Sequence, residues 1–137
     1  MTDDVKKSRP EFRNIHAFEN LPNYRLPLAG FVSIFHRISG FILFLLLPFI
    51  LCLLDMSLRS VDTFDAIHGM VSSWYMKLVV LAISWAYLHH FCAGVRHLFM
   101  DVHFGLDKDT ARRSSAAVFI VSLPLAALVA LKLFGAF

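Results

Sequence analysis

Three charge-free apolar windows, Ile38 to Leu54, Leu78 to Val95 and Ser114 to Leu131, constrain this chain more than any other feature of its sequence. Each becomes long enough to cross a bilayer once its flanks are added, because about 20 apolar helical residues span a hydrocarbon core of about 30 Å. Lipid offers no partners to backbone N–H and C=O groups, so spanning segments of this kind close their hydrogen bonds as helices. The expected fold is all-α and integral to the membrane, with three transmembrane helices over about 29–56, 71–99 and 114–136. Residues 1–28 are read as a cytoplasmic arm and 29–137 as the three-helix anchor domain. Composition agrees: 58% of the 137 residues are hydrophobic and fourteen are Phe, too apolar for a soluble domain of this size.

The arm carries Lys6, Lys7, Arg9, Arg13 and Arg25, with Pro10 and Pro22 interrupting any long helix. It also holds Phe12, Ile15, Phe18, Leu21 and Tyr24, more apolar side chains than a disordered tail keeps, so it is expected to dock on a partner. The first thirty residues lack a short basic region followed by an apolar run, and the first helix is expected to act as its own insertion signal. The stretch from Ser57 to Met70 reads as a loop with Arg59, Asp62, Asp65 and His68, whereas that from Arg96 to Arg113 carries Arg96, Lys108, Arg112 and Arg113. Basic loops mark the cytoplasmic side, which puts the N-terminus inside and the C-terminus outside. Trp74 and Tyr75 then read as an outer aromatic belt and Lys77 as a snorkelling side chain.

The positive balance, +3 at neutral pH, follows from this orientation. No basic cluster with interleaved aromatics suggests nucleic acid. Cys52 and Cys92 lack CxxC or CxxCH spacing, which points away from zinc or covalent haem, and both read as buried thiols. No phosphate loop, nucleophile elbow or carboxylate pair supports catalysis by this chain alone. The third span, with Ser114, Ser115, Ala116, Ala117, Ala126, Ala127 and Ala130, is suited to close helix packing, and Pro48 and Pro124 fall inside spans.

Ionisable side chains inside apolar segments are costly in lipid and mark function. On a helix, His90, Gly94, His97 and Asp101 follow at i, i+4, i+7 and i+11 and share one face, while His89 and Arg96 point elsewhere. An imidazole with a glycine one turn away leaves a flat notch suited to a planar macrocycle, and haem is the natural candidate. His97, about 10 Å further along the axis, is within reach of a propionate. His97 and Arg96 could equally be interfacial anchors. On the first span Ser33, His36 and Arg37 also share a face near the cytoplasmic end. Arg37 would cost about 2.5–3.5 kcal/mol at the bilayer centre, less near the interface, unless it meets protein, water or a polar ligand. A polar cavity shared with His97 accounts for all three. As a fixed cation beside a hydroxyl donor, Arg37 and Ser33 also suit a carbonyl that gains charge on reduction.

Two stretches resemble the cytochrome b556 membrane-anchor family of bacterial succinate dehydrogenase, respiratory complex II. Ser33-Ile34-Phe35-His36-Arg37-Ile38-Ser39-Gly40 is similar to its S-x-x-H-R-x-[ST]-G motif, and the run from His90 through Gly94, Arg96 and His97 to Asp101 is similar to its H-x-x-x-G-x-R-H-x-x-x-D motif. Arg9-Pro10 resembles part of the arm, although Glu11-Phe12-Arg13 departs from the family's better-known R-P-x-S-P-H. The resemblance implies a bacterial inner-membrane subunit with His90 as an axial ligand of haem b. It implies His36, Arg37 and His97 near the propionates, and Ser33 with Arg37 at a ubiquinone-reduction site. Its partners would be a second small anchor supplying the other axial ligand, an iron–sulfur subunit and a flavoprotein. A fumarate reductase anchor working in the reverse direction, or a haem-free three-helix scaffold, would be the other readings.

Overall fold

A computed structural model describes residues 25–135. They form four helices: α1 (Leu28–Arg59), α2 (Val61–Val71), α3 (Trp74–Asp101) and α4 (Lys108–Leu133). The long ones, α1, α3 and α4, are each long and apolar enough to cross a membrane. At about 1.5 Å per residue, the 32 residues of α1 extend about 48 Å. That exceeds the hydrocarbon core, so its ends reach the interfaces. The arm to Tyr24, with the apolar side chains expected to dock, lies outside the described residues, as does the end of the third span at 136.

The stretch from Ser57 to Met70, read as a loop, contains α2. Ser60 Oγ accepts the Thr63 N–H at 3.1 Å and caps the helix, and Asp62 sits in its first turn, where the helix dipole favours a negative charge. Val61, Phe64, Ile67 and Val71 supply apolar positions at helical spacing. At the other turn, α3 continues to Asp101 and α4 starts at Lys108, so Arg96 and Arg112 are helical and the connection shortens to 102–107. His103 and Gly105 have positive φ there, 64° and 75°. Asp107 then accepts the Thr110 N–H at 2.9 Å as the N-cap of α4. Its carboxyl is held below the usual carboxylate range mainly by that backbone N–H, and α4 runs unbroken past Pro124 as α1 does past Pro48.

α3 is the central strut, packing most extensively on α4 and next on α1. Small residues allow the approach: Ala93 of α3 and Ser115, Ser122 and Ala126 of α4 are buried inside the bundle, and small residues at membrane helix interfaces let backbones come close. Val32, Ala93 and Val118 form the core, with Cys92 and Phe119 packed against it. The outside is apolar, Phe44 and Phe49 being 72% and 67% exposed. A water-soluble monomer does not show a surface like this on every side, and a bilayer or a partner helix would cover it. Cys52 is exposed and Cys92 half-buried, which corrects the expectation of two buried thiols: the Cys52 face turns outward, while Cys92 sits at the edge of the core. Lys77 is half-buried, with Nζ 5.8 Å from the Phe134 ring centre at the end of α4, a cation–π contact rather than free snorkelling.

Candidate functional site

Three imidazoles meet where α1 and α3 cross. The His36 and His90 rings stack with centroids 4.2 Å apart and planes 6° from parallel, and His97 lies 4.9 Å from His36. The helices are antiparallel, so Gly40 and Ser39 of α1 meet His90 while the earlier His36 also reaches the later His97. His90 Nδ1 donates to the His36 carbonyl oxygen at 3.0 Å. Ser39 Oγ donates to the same carbonyl at 3.0 Å and lies 3.3 Å from Nδ1. That arrangement fixes the tautomer of His90 and leaves Nε2 as the basic nitrogen, the form in which histidine ligates a metal while a backbone carbonyl orients it.

The expected notch beside Gly94 faces His36: a Cβ at Gly94 would lie 3.5 Å from His36 Nε2, an ordinary contact. The close approach is instead at Gly40, where a Cβ would come within 2.7 Å of His90 Cε1 and 3.2 Å of Nδ1. Neither Gly40 nor Ser39 had been given a role from sequence. Their spacing from His36, i+3 and i+4, was the available signal that they share its face. Ser33 is half-buried and Arg37 exposed, one turn apart on the same helix. No hydrogen bond or ring contact joins either to the histidines, so the structure brings His36, His90, Gly94 and His97 together and leaves Ser33 and Arg37 beside them. Asp101 is exposed at the last turn of α3.

His89 turns the other way, as its 100° offset from His90 requires. It is 1% exposed, enclosed by Phe35, Trp85 and Phe119 with ring centroids 5.9, 5.6 and 5.2 Å away. Neither of its ring nitrogens makes a hydrogen bond of good geometry. It has no open side from which to ligate anything. Among the described residues no group of three or more His, Cys, Asp or Glu could enclose a bare metal ion. A porphyrin-held iron, however, asks the protein only for axial ligands. An oriented, half-buried His90 with a free Nε2 fits that requirement.

The chain is similar to known membrane subunits. A sequence profile for the succinate dehydrogenase/fumarate reductase transmembrane subunit matches residues 9–129. The succinate dehydrogenase cytochrome b556 subunit of Coxiella burnetii is 38% identical over 104 residues, covering 75% of this chain and 83% of that protein. The subunit of the same name from Paracoccus denitrificans is 36% identical over 115 residues, 84% and 88% of the two chains. A succinate dehydrogenase cytochrome b560 subunit of Reclinomonas americana is 34% identical over 95 residues, 64% of this chain and 65% of that protein. With nearly the whole span from Arg9 to Val129 matched, the chain belongs to the succinate dehydrogenase/fumarate reductase transmembrane subunit family.

Proposed function

We propose that the chain is the cytochrome b556 anchor of a succinate:quinone oxidoreductase in a bacterial inner membrane, that it holds haem b through His90, and that it forms part of the quinone-reduction site. The observation that carries this is the oriented imidazole: Nδ1 of His90 is committed to the His36 carbonyl, and Nε2 is left free on the face shared with Gly94 and His97. A b-type haem takes two strong axial ligands, so the second comes from a companion anchor subunit. When bound, haem supplies a one-electron store beside the route from iron–sulfur centres to quinone. His36, His97 and Arg37 offer donors and positive charge suited to the propionate carboxylates.

Ser33 and Arg37 act on the quinone. A quinone carbonyl accepts hydrogen bonds and gathers negative charge as it is reduced, so a hydroxyl donor one turn from a permanent cation stabilises what develops. The basic residues Lys108, Arg112 and Arg113 favour the cytoplasmic side for the α3–α4 turn, and with it for the N-terminal end of α1. There the arm would meet the iron–sulfur and flavoprotein subunits. The relatives described above carry succinate dehydrogenase names, which favours the succinate-oxidising direction. The test is an optical spectrum of the purified complex: a dithionite-reduced b-type α band is expected, and its absence refutes the haem assignment.

A further inference from the structure

Arg96 takes no part in that site. Its side chain is 7% exposed within a membrane-spanning helix, and its Nε donates to Ser114 Oγ at 3.0 Å. A guanidinium carries five N–H donors and stays protonated. Among the described residues no carboxylate lies within ion-pair distance of it, and the four N–H groups on its two Nη atoms have no hydrogen-bond partner there. Neither Nη is a fully enclosed orphan atom, so these donors reach open space.

The space they reach is a groove of about 360 Å³ along the outer seam of α3 and α4, walled by Phe91, Val95, Phe99, Ala117 and Val121, with Arg96 in its side. Val95 and Phe99 lie about 140° and 180° round α3 from His90, so the groove is on the opposite side of the helix from the imidazole cluster. From Phe91 to Met100 it follows α3 for about 14 Å. The groove's loop end is bounded by Phe104, Gly105 and Thr110, in the stretch that also carries the exposed Lys108, Arg112 and Arg113. The result is an apolar trough with a single desolvated cation in its wall and basic residues in the helix start next to its loop end. We infer that it binds one anionic phospholipid, whose phosphate takes two N–H donors of Arg96 and whose acyl chain lies in the trough. A bidentate guanidinium–phosphate contact satisfies the charge that the described residues leave without a carboxylate, and the acyl hydrocarbon covers the apolar walls.

The test is native mass spectrometry of the whole membrane complex after detergent extraction and exchange into phosphatidylglycerol or phosphatidylcholine of matched chains. The parental complex is expected to retain one phosphatidylglycerol in preference to phosphatidylcholine by about fivefold, the scale set by one basic residue near an anionic headgroup. Arg96→Gln should abolish the preference. Ala117→Phe, which fills the trough without touching the charge, should abolish retention. Unchanged haem absorbance and subunit stoichiometry show that each variant is assembled. If Arg96→Gln fails to assemble, Ala117→Phe decides alone. Equal retention of both lipids by the parental complex, or undiminished phosphatidylglycerol in the Ala117→Phe complex, overturns the site. So does crosslinking from Ala117→Cys to another subunit instead of lipid.

Discussion

Replacing Gly40 by alanine puts a methyl group 2.7 Å from Cε1 of His90. The ring must withdraw by about 0.7 Å to reach an ordinary contact of 3.4 Å. It is not free to do so. Nδ1 is tied to the His36 carbonyl at 3.0 Å, and one face is stacked on the His36 ring 4.2 Å away. Moving it forfeits that hydrogen bond, about 0.5–1.5 kcal/mol, while keeping it forces overpacking of about 1–3 kcal/mol. Either way the substitution costs about 0.5–3 kcal/mol, about a two- to hundredfold loss in haem affinity at about 1.4 kcal/mol per decade. Haem content per assembled complex, read from the reduced absorbance band, is the assay. Its companion is the low-temperature paramagnetic signature of the oxidised haem, which reports axial-ligand geometry. Gly94→Ala serves as the comparison, since its methyl would meet His36 Nε2 at 3.5 Å, an ordinary contact, and nothing else among the described residues. A Gly40→Ala complex with parental haem content and an unshifted signature would refute the view that Gly40 makes room for the ligand.

Ser33→Ala should lower quinone reductase activity, and Arg37→Leu should lower it further, about a hundredfold, the effect of removing one preorganised donor. Succinate oxidation with an artificial acceptor at the flavin or iron–sulfur centres should survive both, and parental quinone rates would place the site elsewhere. His89→Phe should leave the complex as stable as the parent or more so, by thermal melting, because it replaces a buried imidazole whose nitrogens lack good partners with an apolar ring in an aromatic cage. The Asp107 cap has a depressed folded pKa, so its contribution to α4 is present above the unfolded value and lost as pH falls through the folded one. The Thr110 amide should then lose protection from exchange only under acid conditions below the ordinary carboxylate range, a loss that Asp107→Asn should blunt. Deleting residues 1–20 should release the hydrophilic subunits from washed membranes, and full retention would mean the arm does not dock.

The three spans were legible because bilayer thickness acts on composition alone, and Ile38 to Leu54 or Ser114 to Leu131 cannot be soluble surface. The face holding His90, Gly94 and His97 was legible too, since helical spacing is a property of one segment. What was hidden depends on pairs of segments. Gly40 and Ser39 acquire meaning only when α1 lies against α3 and His90 is seen 3.3 Å from Ser39. The notch expected at Gly94 instead receives His36, a partner 58 residues away in sequence. α2 escaped notice because Asp62, Asp65 and His68 make its stretch look like a polar loop, although the Ser60 cap and the Val61, Phe64, Ile67 and Val71 spacing marked a short amphipathic helix. Cys52 and Cys92 were read as buried because they lie within spans, yet being in a membrane helix does not choose a side of it.

The most direct test of the account is the reduced-minus-oxidised spectrum of the purified complex carrying His90→Ala, set beside the same spectrum for His89→Ala. The b-type α band is expected to be absent from the first and present in the second, because of the two His90 has the ring oriented through Nδ1, whereas His89 is shut inside an aromatic cage. A band retained in the His90 variant, or lost in the His89 variant alone, would contradict it.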